Sequence, residues 1–240
     1  DLTNNSKINL SGDNSIGIYS NATGKTVTNK GELTLSGKKT LGVFLKGSQT
    51  FVNTANINIA DTTSTKDDEK TIGIYTSEGT SNIKHNSGII EVGQKSIGIY
   101  STTNSAVEMN GGKIHVKDQG IGIYKKDGTL TVKGELDIDA HTATAKNSEP
   151  AGVYAEDGAN ITDNASKITV GAKSYGFIFD NDSALINKYT STGAGTVSLG
   201  DDSVFLYSNG QASLTNGRDI SSNSKRLIGF YIKGNGTNRG

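Results

Sequence analysis

Cysteine and tryptophan are missing from the 240 residues, and proline and methionine occur once each. Without cysteine there is neither a disulfide framework nor a thiolate metal site. No apolar run approaches the about 18 residues of a membrane helix, so direct membrane insertion of this segment is not expected. The N-terminus, DLTNNSKINL, has no basic and apolar leader, as in an excised piece or a processed chain. An excess of one charge is lacking too: 24 Lys and Arg face 24 Asp and Glu. No net field then draws nucleic acid to the chain, and nucleic acid is not expected as a partner. Only 32% of residues are hydrophobic, yet zero net charge removes the self-repulsion of disordered chains, so an ordered fold with a thin core follows. What is abundant is glycine, 31 residues, with Asn, Thr and Ser crowding the gaps between short apolar alternations. That is the chemistry of strands and turns.

One block recurs along the whole length: apolar, Gly, apolar, aromatic. It reads IGIY ending at Tyr19, LGVF at Phe44, IGIY at Tyr75, Tyr100 and Tyr124, AGVY at Tyr154, YGFI at Ile178, VFLY at Tyr207 and IGFY at Tyr231. From Gly17 through Gly42, Gly73, Gly98, Gly122, Gly152 and Gly176 to Phe205 and Gly229, the steps are 25, 31, 25, 24, 30, 24, 29 and 24. The base period is 24–25 residues, interrupted by insertions at 61–70, 141–150 and 188–195. Two further strand signals follow each block, a brief one such as TVTN (26–29) and an alternating one such as KIHVK (113–117). A single coil cannot bury its apolar side, but stacked coils give every strand a parallel neighbour on each side. The pattern specifies an all-β fold, a right-handed parallel β-helix (β-solenoid) of about eight coils of 24–25 residues with three short strands each, in which 1–240 form one β-helix segment.

Alternation places Leu33 and Leu35, Ile114 and Val116, Leu136 and Ile138, Ile168 and Val170, and Val197 and Leu199 inward. In the recurring block it puts Ile16 and Ile18 inside and Gly17 and Tyr19 outside, which aligns an aromatic stripe through Tyr75, Tyr100 and Tyr124. Asn29, Asn53, Asn86, Asn110, Asn164, Asn187 and Asn216 close the second strands and read as a ladder that holds a turn, with Val132 the exception. The first two insertions share one corner three coils apart, and the third lies between the second and third strands. Loops projecting from a rigid solenoid are where binding concentrates. The candidate partner-binding residues are therefore Lys66, Asp67, Asp68, Glu69, Lys146 and Asn147 in the insertions, with Tyr75, Tyr100 and Tyr124 of the stripe.

One charged constellation stands out: Lys113, His115 and Lys117 beneath Glu135, Asp137 and Asp139, with Glu91 below His115 and Lys167 above Glu135. Asp137 and Asp139, about 7 Å apart on one strand, have the separation of an inverting glycosidase pair. Each carboxylate has a basic neighbour one coil away, so ordinary cross-strand pairing accounts for them. His85, His115 and His141 lack metal spacing and no nucleophile motif is present, so no catalytic, metal or cofactor residue is assigned and no cofactor is expected.

The repeats SIGIYS, GIGIYKKDG and PAGVYAEDGANI, each followed by an alternating strand like KGELTLSG, resemble the passenger domains of the large type V autotransporter adhesins of fusobacteria. The resemblance implies an interior fragment of a longer passenger domain, a monomeric rod at the bacterial cell surface, anchored in the outer membrane through a barrel outside this segment. It further implies adhesion, to host-cell receptors or glycans or to other bacterial surfaces, rather than enzymatic activity. The other readings are a carbohydrate-active β-helix enzyme, a polysaccharide hydrolase or lyase, and a toxin-like secreted solenoid.

Overall fold

The computed structural model of the protein describes residues 1–62, 69–143, 148–181, 185–193, 195–233 and 237–238. The first coil holds β1 (Leu2–Asn4), β2 (Ile8–Leu10) and β3 (Ile16–Ser20); the second holds β4 (Thr26–Asn29), β5 (Leu33–Leu35) and β6 (Leu41–Lys46). β1 pairs in parallel with β4, β2 with β5 and β3 with β6, and the pattern repeats along the chain. Three parallel sheets result, here named A, B and C after the strands that open them, of ten, eight and nine strands. The solenoid has about nine turns rather than eight, because nine copies of the block bound eight steps. At about 4.8 Å per step those rungs span roughly 40 Å.

Sheet B follows the alternation. Leu33, Leu35, Ile57, Ile59, Ile90, Val92, Ile114, Val116, Leu136, Ile138, Ile168 and Val170 are all buried in one continuous core. Burying each such side chain contributes roughly 1.5–3 kcal/mol, and it does so only because the next coil covers it.

Sheet C departs from simple alternation. In the Ile97–Ser101 strand, Ile97 pairs with Ile121 and Ile99 with Ile123, while Gly98 between them takes no ladder position. A Cβ on Gly98 would point into the core, 2.5 Å from the Gly122 carbonyl oxygen and 2.9 Å from a Val92 methyl. The strand bends here, so Gly98 and Ile99 both face inward and Ile97 faces out. The expectation that Ile16 lies inside and Gly17 outside is thereby corrected: Ile16 is 44% exposed, and glycine is required because the next coil's backbone passes too close for any side chain.

The polar column in sheet A differs as well. In register it runs Asn4, Asn29, Asn53, His85, Met109, Val132, Asp163, Ser191 and Asn216. The Asn4 amide donates to Asn29 Oδ1 at 2.8 Å, Asn29 to Asn53 Oδ1 at 2.8 Å, and Asn53 to His85 Nδ1 at 3.0 Å. The corner is held as well, since Asn53 Nδ2 also donates to the Ala55 carbonyl at 2.7 Å. Asn86 and Asn110 stand one residue further on and form a separate exposed hydrogen bond of 3.1 Å. Asn164 also lies one residue past its strand, and Asn187 opens rather than closes the strand Asn187–Ser191. The ladder of identical residues is thus shorter than expected, because His85 and Met109 take the inward places.

The third insertion is also relocated. Residues 187–191 are a sheet A strand, with Tyr189 in the inward place of Ile161, so the extra length lies at 180–186.

His85 gives the core a pH dependence. Burial drives its pKa from 6.5 down to about 4. The unfolded chain therefore takes up a proton between about pH 6.5 and 4 that the folded chain refuses, and stability falls as pH falls through that window, by roughly 3 kcal/mol in full. Urea unfolding at pH 7 and pH 4 is expected to show the loss, and His85→Asn to remove about that much of it. Equal pH slopes in the two proteins would refute the assignment.

Candidate functional site

The outward residues of sheet C form two parallel columns. One is aromatic: Tyr19, Phe44, Tyr75, Tyr100, Tyr124 and Tyr154 lie in register, with successive ring centroids 5.4, 5.2, 5.4, 4.5 and 5.2 Å apart. Three of these contacts are stacked, at 16°, 23° and 10° between planes. The stripe expected through Tyr75, Tyr100 and Tyr124 is therefore an exterior column, but the rings cover one another's faces and turn mainly their edges to solvent. That geometry favours ring-to-ring attraction of roughly 0.5–1.5 kcal/mol per pair over a platform for stacked sugars. Burial and a hydrogen bond donated to Glu156 push the Tyr124 hydroxyl pKa up, and Tyr154 donates to Asp180 at 2.5 Å.

The other column is aliphatic: Ile16, Leu41, Ile72, Ile97 and Ile121. Together with Tyr75, Tyr100 and Tyr124 it lines a groove of about 580 Å³, whose remaining lining is Asn14, Lys39 and Lys70. Lys39 is exposed at a left-handed turn residue, φ 52°, two positions before Leu41. The sequence showed the repeat of both columns; it did not show that the bend at glycine turns the aliphatic one outward to face the tyrosines.

The first two insertions do leave from one corner, immediately before the sheet C strands Ile72–Glu78 and Ala151–Glu156. Lys66, Asp67, Asp68, Lys146 and Asn147 lie outside the described residues. Glu69 is half-buried at the base of the first insertion, where its carbonyl accepts from Lys39 N at 3.2 Å. The second insertion is tied down by Asp118, which binds His141 Nδ1 at 2.8 Å, Thr142 N at 2.9 Å and Thr142 Oγ1 at 2.7 Å. Burial works to raise the Asp118 pKa, but the hydrogen bonds from Thr142 and His141 outweigh it and hold it below the usual range.

On sheet B the charged lattice has the expected register, with Lys113 opposite Glu135, His115 opposite Asp137, Glu91 opposite His115 and Glu135 opposite Lys167. Two contacts run diagonally, Lys113 to Asp137 and His115 to Asp139 at 3.1 Å, while His115 also meets Glu91, directly opposite, at 2.9 Å. Partial burial opposes protonation of His115, but Asp139 and Glu91 outweigh it and raise its pKa above 6.5. Its contribution is present below pH 6.5 and is lost as pH rises through the raised value, opposite in sign to that of His85. Both carboxylates of the candidate glycosidase pair are held in ion pairs.

Two buried polar sites escaped the sequence reading. Lys125 donates to Ser101 Oγ at 3.2 Å and to the Thr103 carbonyl at 3.1 Å, and burial draws its pKa down to about 8. The pair resembles a nucleophile and its base, but both residues are fully enclosed and out of reach of substrate. Asp163 accepts from Arg218 Nη2 at 3.0 Å, Tyr189 Oη at 2.7 Å and Ala165 N at 2.9 Å, again inside the core. The one legible signal for Lys125 was its place in the inward column beside Ser101 and Ala155.

A family model described as the BigA third pectate lyase-like domain matches residues 1–167. That span takes in both corner insertions and the whole groove. No curated protein and no solved structure matches the chain.

Proposed function

Because the chain belongs to the family of the BigA third pectate lyase-like domain, we propose that it is a passenger-type segment of a bacterial surface adhesin. In this reading it is displayed outside the cell and meets other bacteria, or host-cell receptors or glycans, through the outer face of sheet C. The repeat's resemblance to fusobacterial autotransporter passengers supports the placement. The observation that carries the contact face is the groove itself, an apolar strip on the side from which both corner insertions leave.

The segment is non-enzymatic in this reading, "pectate lyase-like" being a statement about fold. In support, Asp137 and Asp139 are engaged by Lys113 and His115. Attachment of the purified chain to bacterial and host-cell surfaces is the test, against Tyr75→Ser/Tyr100→Ser and against a chain with 63–68 and 144–147 replaced by Gly-Ser linkers. One or both are expected to weaken attachment at least tenfold, about 1.4 kcal/mol. Unchanged attachment in both removes sheet C as the contact face. Depolymerisation of a polysaccharide that vanishes in Asp137→Asn would replace the adhesin reading with the enzyme.

A further inference from the structure

The lining of the sheet C groove names a ligand class. The aliphatic column runs straight from Ile16 to Ile121, four coil steps, or roughly 19 Å. Its width, from the aliphatic to the aromatic position three residues on, is roughly 10 Å. The strip therefore offers on the order of 200 Å², against about 800 Å² per partner in a stable protein interface. A folded partner would have to extend well beyond the strip over the outer face of sheet C, so the strip by itself is a site for a smaller ligand. The volume of about 580 Å³ falls within the roughly 300–1,000 Å³ of small-molecule sites.

Hydrogen-bonding groups are scarce along this strip. The strand amides and carbonyls on its floor pair coil to coil within sheet C, and Tyr124 already donates to Glu156. Inside the strip itself a peptide or a sugar chain, with an amide or several hydroxyls per unit, finds few partners beyond the Tyr75 and Tyr100 hydroxyls and the Asn14 side chain, whereas a hydrocarbon needs none. The edges of stacked rings carry the positive end of the ring quadrupole, and the exposed charge of the lining is that of Lys39. Lys39 is exposed and belongs to no ion pair among the described residues.

We propose that the groove binds a long-chain carboxylate, its head at Lys39 and its alkyl chain running along the rod axis between the Ile and Tyr columns toward Ile121. The inference rests on the reading of sheet C as the contact face, and names what that face holds.

Equilibrium dialysis of the chain with radiolabelled palmitate below its aggregation concentration, paralleled by hexadecanol, tests it. One saturable site is expected. Ile72→Ser/Ile121→Ser, two outward half-buried positions whose replacement spares the core, should weaken both ligands at least tenfold by removing apolar contact. Lys39→Glu should weaken palmitate at least fivefold and change hexadecanol less than about twofold. No saturable palmitate binding, or binding that the Ile72→Ser/Ile121→Ser variant retains in full, overturns the proposal. So does an equal loss of both ligands in Lys39→Glu, which would mean that the head is not read there. Attachment to cells is scored separately. If it falls in the groove variants while palmitate never binds, the contact face stands and the ligand class is wrong; if palmitate binds as described while attachment is unaffected, the ligand stands and the contact face is wrong.

Discussion

Leu136→Asp unfolds the chain or leaves it barely stable, while Asp137→Leu, one residue on, leaves it folded. Leu136 is 0% exposed and stacks in register between Ile114 and Ile168. A carboxylate there has no partner and no water, at a cost of several kcal/mol, comparable to the roughly 5–15 kcal/mol that holds a typical domain together. Asp137 is half-buried on the outer face and pairs with Lys113. Losing such a pair costs about 0–1 kcal/mol. Urea titration followed by far-ultraviolet circular dichroism separates the two. If Asp137→Leu proves as damaging as Leu136→Asp, the inward and outward sides of sheet B are misassigned.

The second large effect is expected at Asp163→Ala. The side chains of Asp163 and Arg218 are both fully buried and are brought together from 55 positions apart in sequence. Removing the carboxylate strands a guanidinium whose Nε and Nη1 already lack partners, and also frees the Tyr189 hydroxyl and the Ala165 amide. Breaking one side of a buried pair costs about 3–5 kcal/mol. The double variant Asp163→Leu/Arg218→Met removes both charges at similar bulk and should recover much of that loss, a coupling that a double-mutant cycle reads directly. A loss below about 1 kcal/mol in Asp163→Ala, or no recovery in the double variant, would mean that solvent reaches the pair.

By itself the sequence determined the coil. The 24–25-residue period sets the rungs, and alternation sets which residues of sheet B face inward. Together they place Glu91, His115 and Asp137 one above another, as found. These features are repetitive and local, so a pattern two residues long, copied at a constant interval, carries them completely. The aromatic column was legible for the same reason.

Only the tertiary structure decided what happens where the repeat bends or where its members differ. At Gly98 the strand turns two successive residues inward, because the Gly122 carbonyl of the next coil lies within 2.5 Å of where a side chain would begin. That contact is made across a coil, and it turns the aliphatic column outward to make the groove. The Asn column breaks at His85 and Met109, and Lys125, Asp163 and Arg218 take inward places, because what fills an axial column depends on the hydrogen bonds offered by the coils above and below. Those partners lie 22 to 55 residues away in sequence, at distances where no local pattern reports which side chain meets which.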